Sequence, residues 1–421
     1  MQFKRLIAEF LQFLKDYRKY VFIHIAIFIV SIVIVCFDYT YNFSGVKVLN
    51  DFAEYYYSAK VFFQVGMTRI YDVTYMFTMY KADSFRSLLA VLGYFYLFTI
   101  LPLVPSYVLY SLLALCIDLC TMFITLRTIK VLEGLTGEKT MVVERSRKYV
   151  MLFFVVIFFI EIYMQGQVIV YVALFSILGL YFFLKRNEIV GSLFLGISIV
   201  FKPVSIFVVL FLLLDRDLKK VLKRLIFVII PLLPDLLIFT LNPLVRNNFI
   251  SFNVAGFRSM YSFYPAISFS NLLIELTNLT SLQAMIIALA IALILGLALR
   301  RKMTNNPQKI FFAFIYGICL YFFVQADVWT SQLLALYPFL VMAFPFIEIT
   351  YKKNFMVVFF FLYPVACEIG IFDYSMFFTG GAAINLILRI FICSLTILLV
   401  SMIARYFLAE KNVLGMLRVA I

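Results

Sequence analysis

The chain has 421 residues, 65% of them hydrophobic and 14% charged, with a mean hydropathy of +1.03. A soluble domain is nearer a quarter charged, so composition excludes a string of soluble domains and indicates a polytopic membrane protein whose first partner is the lipid bilayer. The net charge of +14, from 36 basic and 22 acidic residues, could suggest nucleic acid. In a membrane chain, excess Lys and Arg instead marks cytoplasmic loops, so no nucleic-acid partner is expected. A single histidine, His24, leaves no HExxH motif and no Ser-His-Asp triad. The six cysteines lie in or at the ends of apolar segments without metal-ligand spacing. Neither a metal nor a cofactor is expected.

The N-terminal stretch is basic and amphipathic, and the apolar run at 20–37 follows as an uncleaved signal anchor. Next comes "NDFAEYYYSAKVFFQVGMTRIYD" at 50–72, inside a long predicted external loop, 38–87. Helical spacing there puts Phe52, Tyr55, Tyr56, Ala59 and Phe63 on one face. The pattern predicts an interfacial amphipathic helix with Asp51 at its start, either as an N-cap or as a group for chemistry. The segment 88–104 reads as a membrane-skimming or re-entrant piece.

Crossings are predicted at 106–126, 149–163, 168–184, 222–241, 281–299, 309–325, 332–349, 354–372 and 383–407. The apolar run 189–214 is broken by Lys202-Pro203 and flanked on both sides by basic residues. One crossing would separate those flanks, so two half-helices turning at Lys202-Pro203 are predicted. The expected fold is all-α: one transmembrane domain over 1–421 with about twelve helices, both termini cytoplasmic, and a second external loop at 242–280.

The outer side then collects the candidate chemistry. Asp51 offers a carboxylate, and Lys202 a cation suited to a lipid phosphate, unless it is a lysine snorkelling to the interface. Gln165, Gln167, Asn242 and Asn271 offer amides for a hydroxyl-rich ligand. Asp327 and Trp329 offer a carboxylate beside an aromatic face of the kind sugars pack on, though a lone interfacial Trp also serves as a membrane anchor. Asp118, in the middle of a predicted helix, is a functional candidate by position but is left outside the site. Glu161 and Asp235, near helix ends, are weaker candidates.

These stretches resemble glycosyltransferase family 87, of the membrane GT-C class. The resemblance rests on Asp51, Phe52, Tyr55, Tyr56, Gly66, Tyr71 and Asp72 after the first helix, then "YFYLFTILPLVP", Gly166-Gln167, Gly196 with Lys202-Pro203, and "FSNLLIEL" around Asn271. It departs at Trp329-Thr330-Ser331-Gln332, where the family often shows Trp-x-His-His. The resemblance implies a GT-C-like bundle in the plasma membrane. It also implies transfer of a sugar, typically mannose, from a polyprenyl-phosphate donor to a glycolipid or glycan acceptor outside the cytoplasm. In that scheme Asp51 is the general base of an inverting transfer, Lys202 holds the donor phosphate, and Tyr55, Gln167, Asn271, Asp327 and Trp329 bind substrate. No metal is implied, because the loop has no DxD pair. The competing class is a transporter or flippase of lipid-linked glycan or small solute, for which charges strung along a pathway and an inverted repeat would be expected.

Overall fold

The computed structural model describes residues 2–41, 50–80, 87–136, 141–155, 158–215, 217–250, 268–277, 279–301, 306–325, 330–351 and some positions between 356 and 401. Every regular element among them is helical. The predicted crossings at 354–372 and 383–407 lie almost wholly outside the described residues, as do Asp327 and Trp329.

Helix α1 (Gln2–Asp16) lays Phe10 and Phe13 against Phe123, and α2 (Arg18–Tyr41) follows after a one-residue break. The polar aromatic stretch forms α3 (Asn50–Gln64). A short turn at Arg69–Tyr71 leads into α4 (Val73–Tyr80), whose first turn is capped by Asp72 accepting the Tyr75 N–H at 2.9 Å. The segment 88–104 gives α5 (Ala90–Tyr96) and a turn at Leu97–Ile100, too short to cross a membrane. Helix α6 (Leu103–Thr136) is 34 residues long. It outruns the predicted crossing 106–126 because no glycine or proline interrupts it between Pro105 and Gly134.

The predicted crossing 149–163 is divided between α7 (Met141–Phe153) and α8 (Phe158–Gln165). Helix α9 (Ile169–Leu184) then packs along α6 and α10 (Glu188–Phe201). After α11 (Ile206–Leu212) come α12 (Leu218–Ile229), α13 (Leu233–Leu241) and α14 (Pro243–Ile250). The last elements are α15 (Phe269–Leu276), α16 (Ser281–Arg301), α17 (Asn306–Val324) and α18 (Tyr337–Tyr351). Among the described residues, five segments are long and apolar enough to cross a membrane: Arg18–Asp38, Leu103–Leu135, Leu218–Leu241, Ser281–Arg301 and Pro307–Val324. Helix α16 shows the packing rule of such bundles. Ala284, Ala288, Ala292 and Gly296 are its buried stripe, while Ile294 is 70% exposed. Small residues let backbones approach, and the large apolar ones face lipid.

The run 189–214 is a hairpin. Lys202 has extended backbone (φ −156°, ψ 141°), and Pro203 opens a short turn before α11. A continuous helix from 188 to 212 would part its ends by about 36 Å. Instead one buried guanidinium, that of Arg224 on α12, reaches both ends. It donates to Glu188 at the start of α10 (3.0 and 3.2 Å), to the Leu212 carbonyl at the end of α11 (2.8 Å), and it pairs with Asp215 (3.1 Å). The half-helices therefore turn at Lys202, as the basic flanks predict.

Burial alone would raise the Asp215 carboxyl, but the Asp217 N–H and the Arg224 charge together hold it below its ordinary value. Its stabilising share is present above the ordinary carboxylate pKa and is lost as pH falls through the depressed one. Arg224→Met strands Glu188 and Asp215 and should cost about 3 kcal/mol, read as a lower melting temperature in detergent. Adding Glu188→Gln should return part of that loss.

Candidate active site

Helix α3 is more enclosed than an interfacial helix. Phe52, Tyr55, Tyr56 and Ala59 of the predicted face are buried, but so are Ala53, Glu54, Ser58 and Val61 on other faces, and Phe63 is 49% exposed. It is wedged into the bundle against α5, α6 and α8. Phe52 anchors this wedge in an aromatic socket of Phe95, Tyr107 and Tyr110, with ring centroids 5.2–6.0 Å away. Asp51 stands in the first turn of α3, half-buried, at the end where a negative charge meets the helix dipole favourably.

The turn Gln165-Gly166-Gln167 closes onto this helix end. Gly166 has φ +66°, a conformation side-chain-bearing residues avoid, and a Cβ there would lie 2.7 Å from the Cβ of Phe52. Only glycine meets both demands, and the reward is contact between Gln167 and Asp51. Tyr107 donates to the Tyr163 carbonyl at 2.5 Å and Tyr110 to the Gln167 carbonyl at 2.9 Å, so α6 fixes both the end of α8 and the turn.

Three predicted residues meet here. The Gln167 side-chain amide, on a residue only 5% exposed, donates to Asp51 Oδ2 and to Gln165 Oε1 (2.9 Å). Its oxygen accepts from Lys202 Nζ at 3.3 Å. Asp51 and Lys202, 151 residues apart, are thus joined through one amide, and both remain half-buried rather than sealed. The amide's orientation is dictated by its neighbours, since a carboxylate takes only donors and an ammonium offers only donors.

Tyr55, one turn along α3 from Asp51, stacks on Phe95 at 4.7 Å, with its hydroxyl 3.3 Å from Ser87 Oγ. Asn271 lies in the first turn of α15, its N–H donated to Ser268 Oγ at 3.2 Å. It is not part of the Asp51–Gln167–Lys202 chain. Beside that chain Tyr171 stacks on Phe201 (4.7 Å, 7°), and Tyr94 hydrogen-bonds Tyr171.

Two further polar groupings escape the sequence patterns. His24, Tyr163 and Asp118, all but wholly buried on α2, α8 and α6, form a network. The Tyr163 hydroxyl lies 2.7 Å from Asp118 Oδ2 and 2.8 Å from His24 Nε2, and His24 Nδ1 lies 3.2 Å from the Phe154 carbonyl. Asp235 on α13, 2% exposed, accepts the Ala90 N–H at 3.2 Å, while its Oδ2 and the Tyr71 hydroxyl have no hydrogen-bond partner among the described residues. Burial, and secondarily the Asp235 charge, push the Tyr71 hydroxyl well above its ordinary pKa. No group of three or more potential metal ligands occurs among the described residues.

The described residues thus form an all-helical protein with helices long and apolar enough to cross a membrane, in which a carboxylate, an amide and a lysine converge at one point. Residues 90–325, more than half of the chain, match the profile of glycosyltransferase family 87, and the chain belongs to that family. Gln167, Lys202 and Asn271 lie inside the matched region, and Asp51 and Tyr55 precede it. Comparison with curated proteins and with solved structures returns no match.

Gly166→Ala should part the turn from α3, lowering the melting temperature by several degrees (about 1–2 kcal/mol for the backbone alone) and reducing activity further than that loss explains. In the buried network, Asp118→Asn can still accept from Tyr163, whereas His24→Leu removes at once the contacts of the imidazole to the Tyr163 hydroxyl and to the Phe154 carbonyl. Thermal unfolding in detergent should therefore show His24→Leu as the weaker protein, by about 1–3 kcal/mol.

Proposed function

We propose that this protein is an inverting glycosyltransferase that moves a hexose, mannose being the first candidate, from a polyprenyl-phosphate donor to a hydroxyl of a glycolipid or glycan acceptor. The observation that carries this reading is the Gln167 amide linking Asp51 to Lys202. A base and a phosphate-binding cation held one amide apart suit the two ends of a single displacement. The acceptor hydroxyl donates to Asp51, and its oxygen attacks the anomeric carbon from the face opposite the phosphate. The new glycosidic bond forms as the carbon–oxygen bond to phosphate breaks. The proton passes to Asp51, and the polyprenyl phosphate leaves with its charge facing Lys202. A phosphate ester is already a good leaving group, so no strong general acid is required.

Tyr55, Asn271, Asp327 and Trp329 are assigned to substrate binding on their residue types and family resemblance. The basic loops favour a topology of about twelve spans with both termini in the cytoplasm, which turns Asp51 and Lys202 to the outer side of the plasma membrane.

Membranes supplied with radiolabelled polyprenyl-phosphate mannose and a glycolipid extract give the test. Asp51→Asn should lose transfer by about 10²-fold or more while inserting normally, and wild-type turnover by that variant would refute the base assignment. Lys202→Met should raise the donor concentration needed far more than Lys202→Arg, since charge at the leaving phosphate is what the site supplies. Equal donor dependence in the wild type and Lys202→Met would refute the phosphate role.

A further inference from the structure

Three serines surround the hairpin turn without touching any proposed reacting group. Ser176 is on α9, Ser198 on α10 and Ser205 in the turn Pro203–Ser205, and all three side chains are fully buried. Their hydroxyls close a ring, with Ser176 to Ser198 at 2.8 Å, Ser176 to Ser205 at 2.7 Å and Ser198 to Ser205 at 2.8 Å. Each hydroxyl has one proton to give and can accept from its neighbour, so the ring can satisfy all three donors, and Ser198 Oγ also lies 3.4 Å from the Val172 carbonyl, again on α9. Such a ring demands that three backbone segments sit at fixed separations. Alanine would fill the same places without that demand.

The ring straddles Lys202. Ser198 is four residues before it and Ser205 three after. In one continuous helix residues seven apart are about 10 Å apart along the axis, whereas here their hydroxyls meet at 2.8 Å. Their bond is a clasp across the base of the turn, at the opposite end of the hairpin from Arg224. Ser176 pins the clasp to α9, the helix that begins two residues after Gln167. On the same helix Tyr171 stacks on Phe201, the residue before Lys202. A single rigid helix therefore references both ends of the Lys202–Gln167 hydrogen bond: Gln167 through its first turn, and Lys202 through the serine ring.

We infer that Ser176, acting through the ring with Ser198 and Ser205, is a positioning residue that sets where the Lys202 ammonium stands for the phosphate of a lipid substrate. The inference rests on the reading that Lys202 holds that phosphate. A loosened ring leaves Lys202 charged but spreads its position, so phosphate binding weakens while the acceptor side and the fold are little changed.

Farnesyl phosphate, a short isoprenoid monophosphate, serves as the probe, and its binding to the purified full-length protein in detergent is read by the ligand-induced rise in melting temperature over a concentration series. Wild type should bind and Lys202→Met should not. Ser176→Ala should bind about tenfold more weakly, with the ligand-free melting temperature within a few degrees of wild type, and Ser176→Thr, which keeps the hydroxyl, should recover most of the loss. If Ser176→Ala is too unstable to assay, Ser205→Ala opens the same ring from the other side and should show the same weakening. Wild-type binding by Ser176→Ala or Ser205→Ala, with Lys202→Met still deficient, overturns the positioning role and leaves the reading of Lys202 intact. Wild-type binding by Lys202→Met removes the phosphate site itself, and the positioning role with it. A loss in Ser176→Thr as deep as in Ser176→Ala also overturns the inference, because the hydroxyl is then not what matters.

Discussion

A carboxylate and an ammonium brought together in an apolar bundle attract each other far more strongly than they would in water, and left alone they collapse into a direct pair. Such a pair is poor catalytic equipment, since each charge spends itself on the other. In this chain the Gln167 amide stands between Asp51 and Lys202, donating an N–H to one and accepting a hydrogen bond from the other. The amide meets the hydrogen-bonding needs of both charged groups while keeping them a residue's width apart. In the proposed transfer, that separation lets one group address an acceptor hydroxyl and the other a phosphate.

Everything around the amide holds that geometry. Asp51 arrives on α3, which is fixed by Phe52 in its aromatic socket. Gln167 arrives on a turn that only glycine can make against Phe52. Lys202 arrives at the tip of a hairpin whose far end is tied by Arg224 and whose near end is closed by serine hydroxyls. Three stretches distant in sequence reach one point because each is over-determined by its own packing. This is how sites with reactive geometry are usually supported.

Part of this was legible in the sequence, and for a physical reason. A charge is costly inside an apolar run, so Lys202 stands out against its surroundings, while Asp51 and Gln167 stand out as polar groups in predicted external loops. The hairpin followed from the sign of the charges flanking it. What stayed hidden depends on long-range contact. No pattern within α3 shows that both its faces are covered, because its covering helices lie elsewhere in the chain. Gly166 looks like any loop glycine until Phe52 is placed against it. Serines 176, 198 and 205 pass for ordinary small helix residues, and only their meeting at the turn gives them a role. Helix α6 runs past the predicted crossing 106–126 because neither glycine nor proline interrupts it before Gly134, and hydropathy alone does not mark where a helix leaves the membrane.

Asp118 shows why burial of a carboxylate is not by itself evidence of catalysis. His24, Tyr163 and Asp118 bond one another inside the bundle, with the tyrosine hydroxyl standing between the carboxylate and the imidazole. A mutually bonded set of this kind can sit among apolar helices at lower cost than a lone carboxylate, although Asp118 Oδ1 has no hydrogen-bond partner among the described residues. It also has little to offer a substrate, because the Asp118 side chain is wholly enclosed and one of its oxygens is already engaged by Tyr163. Asp51 differs on both counts, being half-exposed and facing an amide that a ligand can replace. The same residue type thus serves as a structural tie in one place and is the proposed base in the other, and what separates the two is how far each is enclosed.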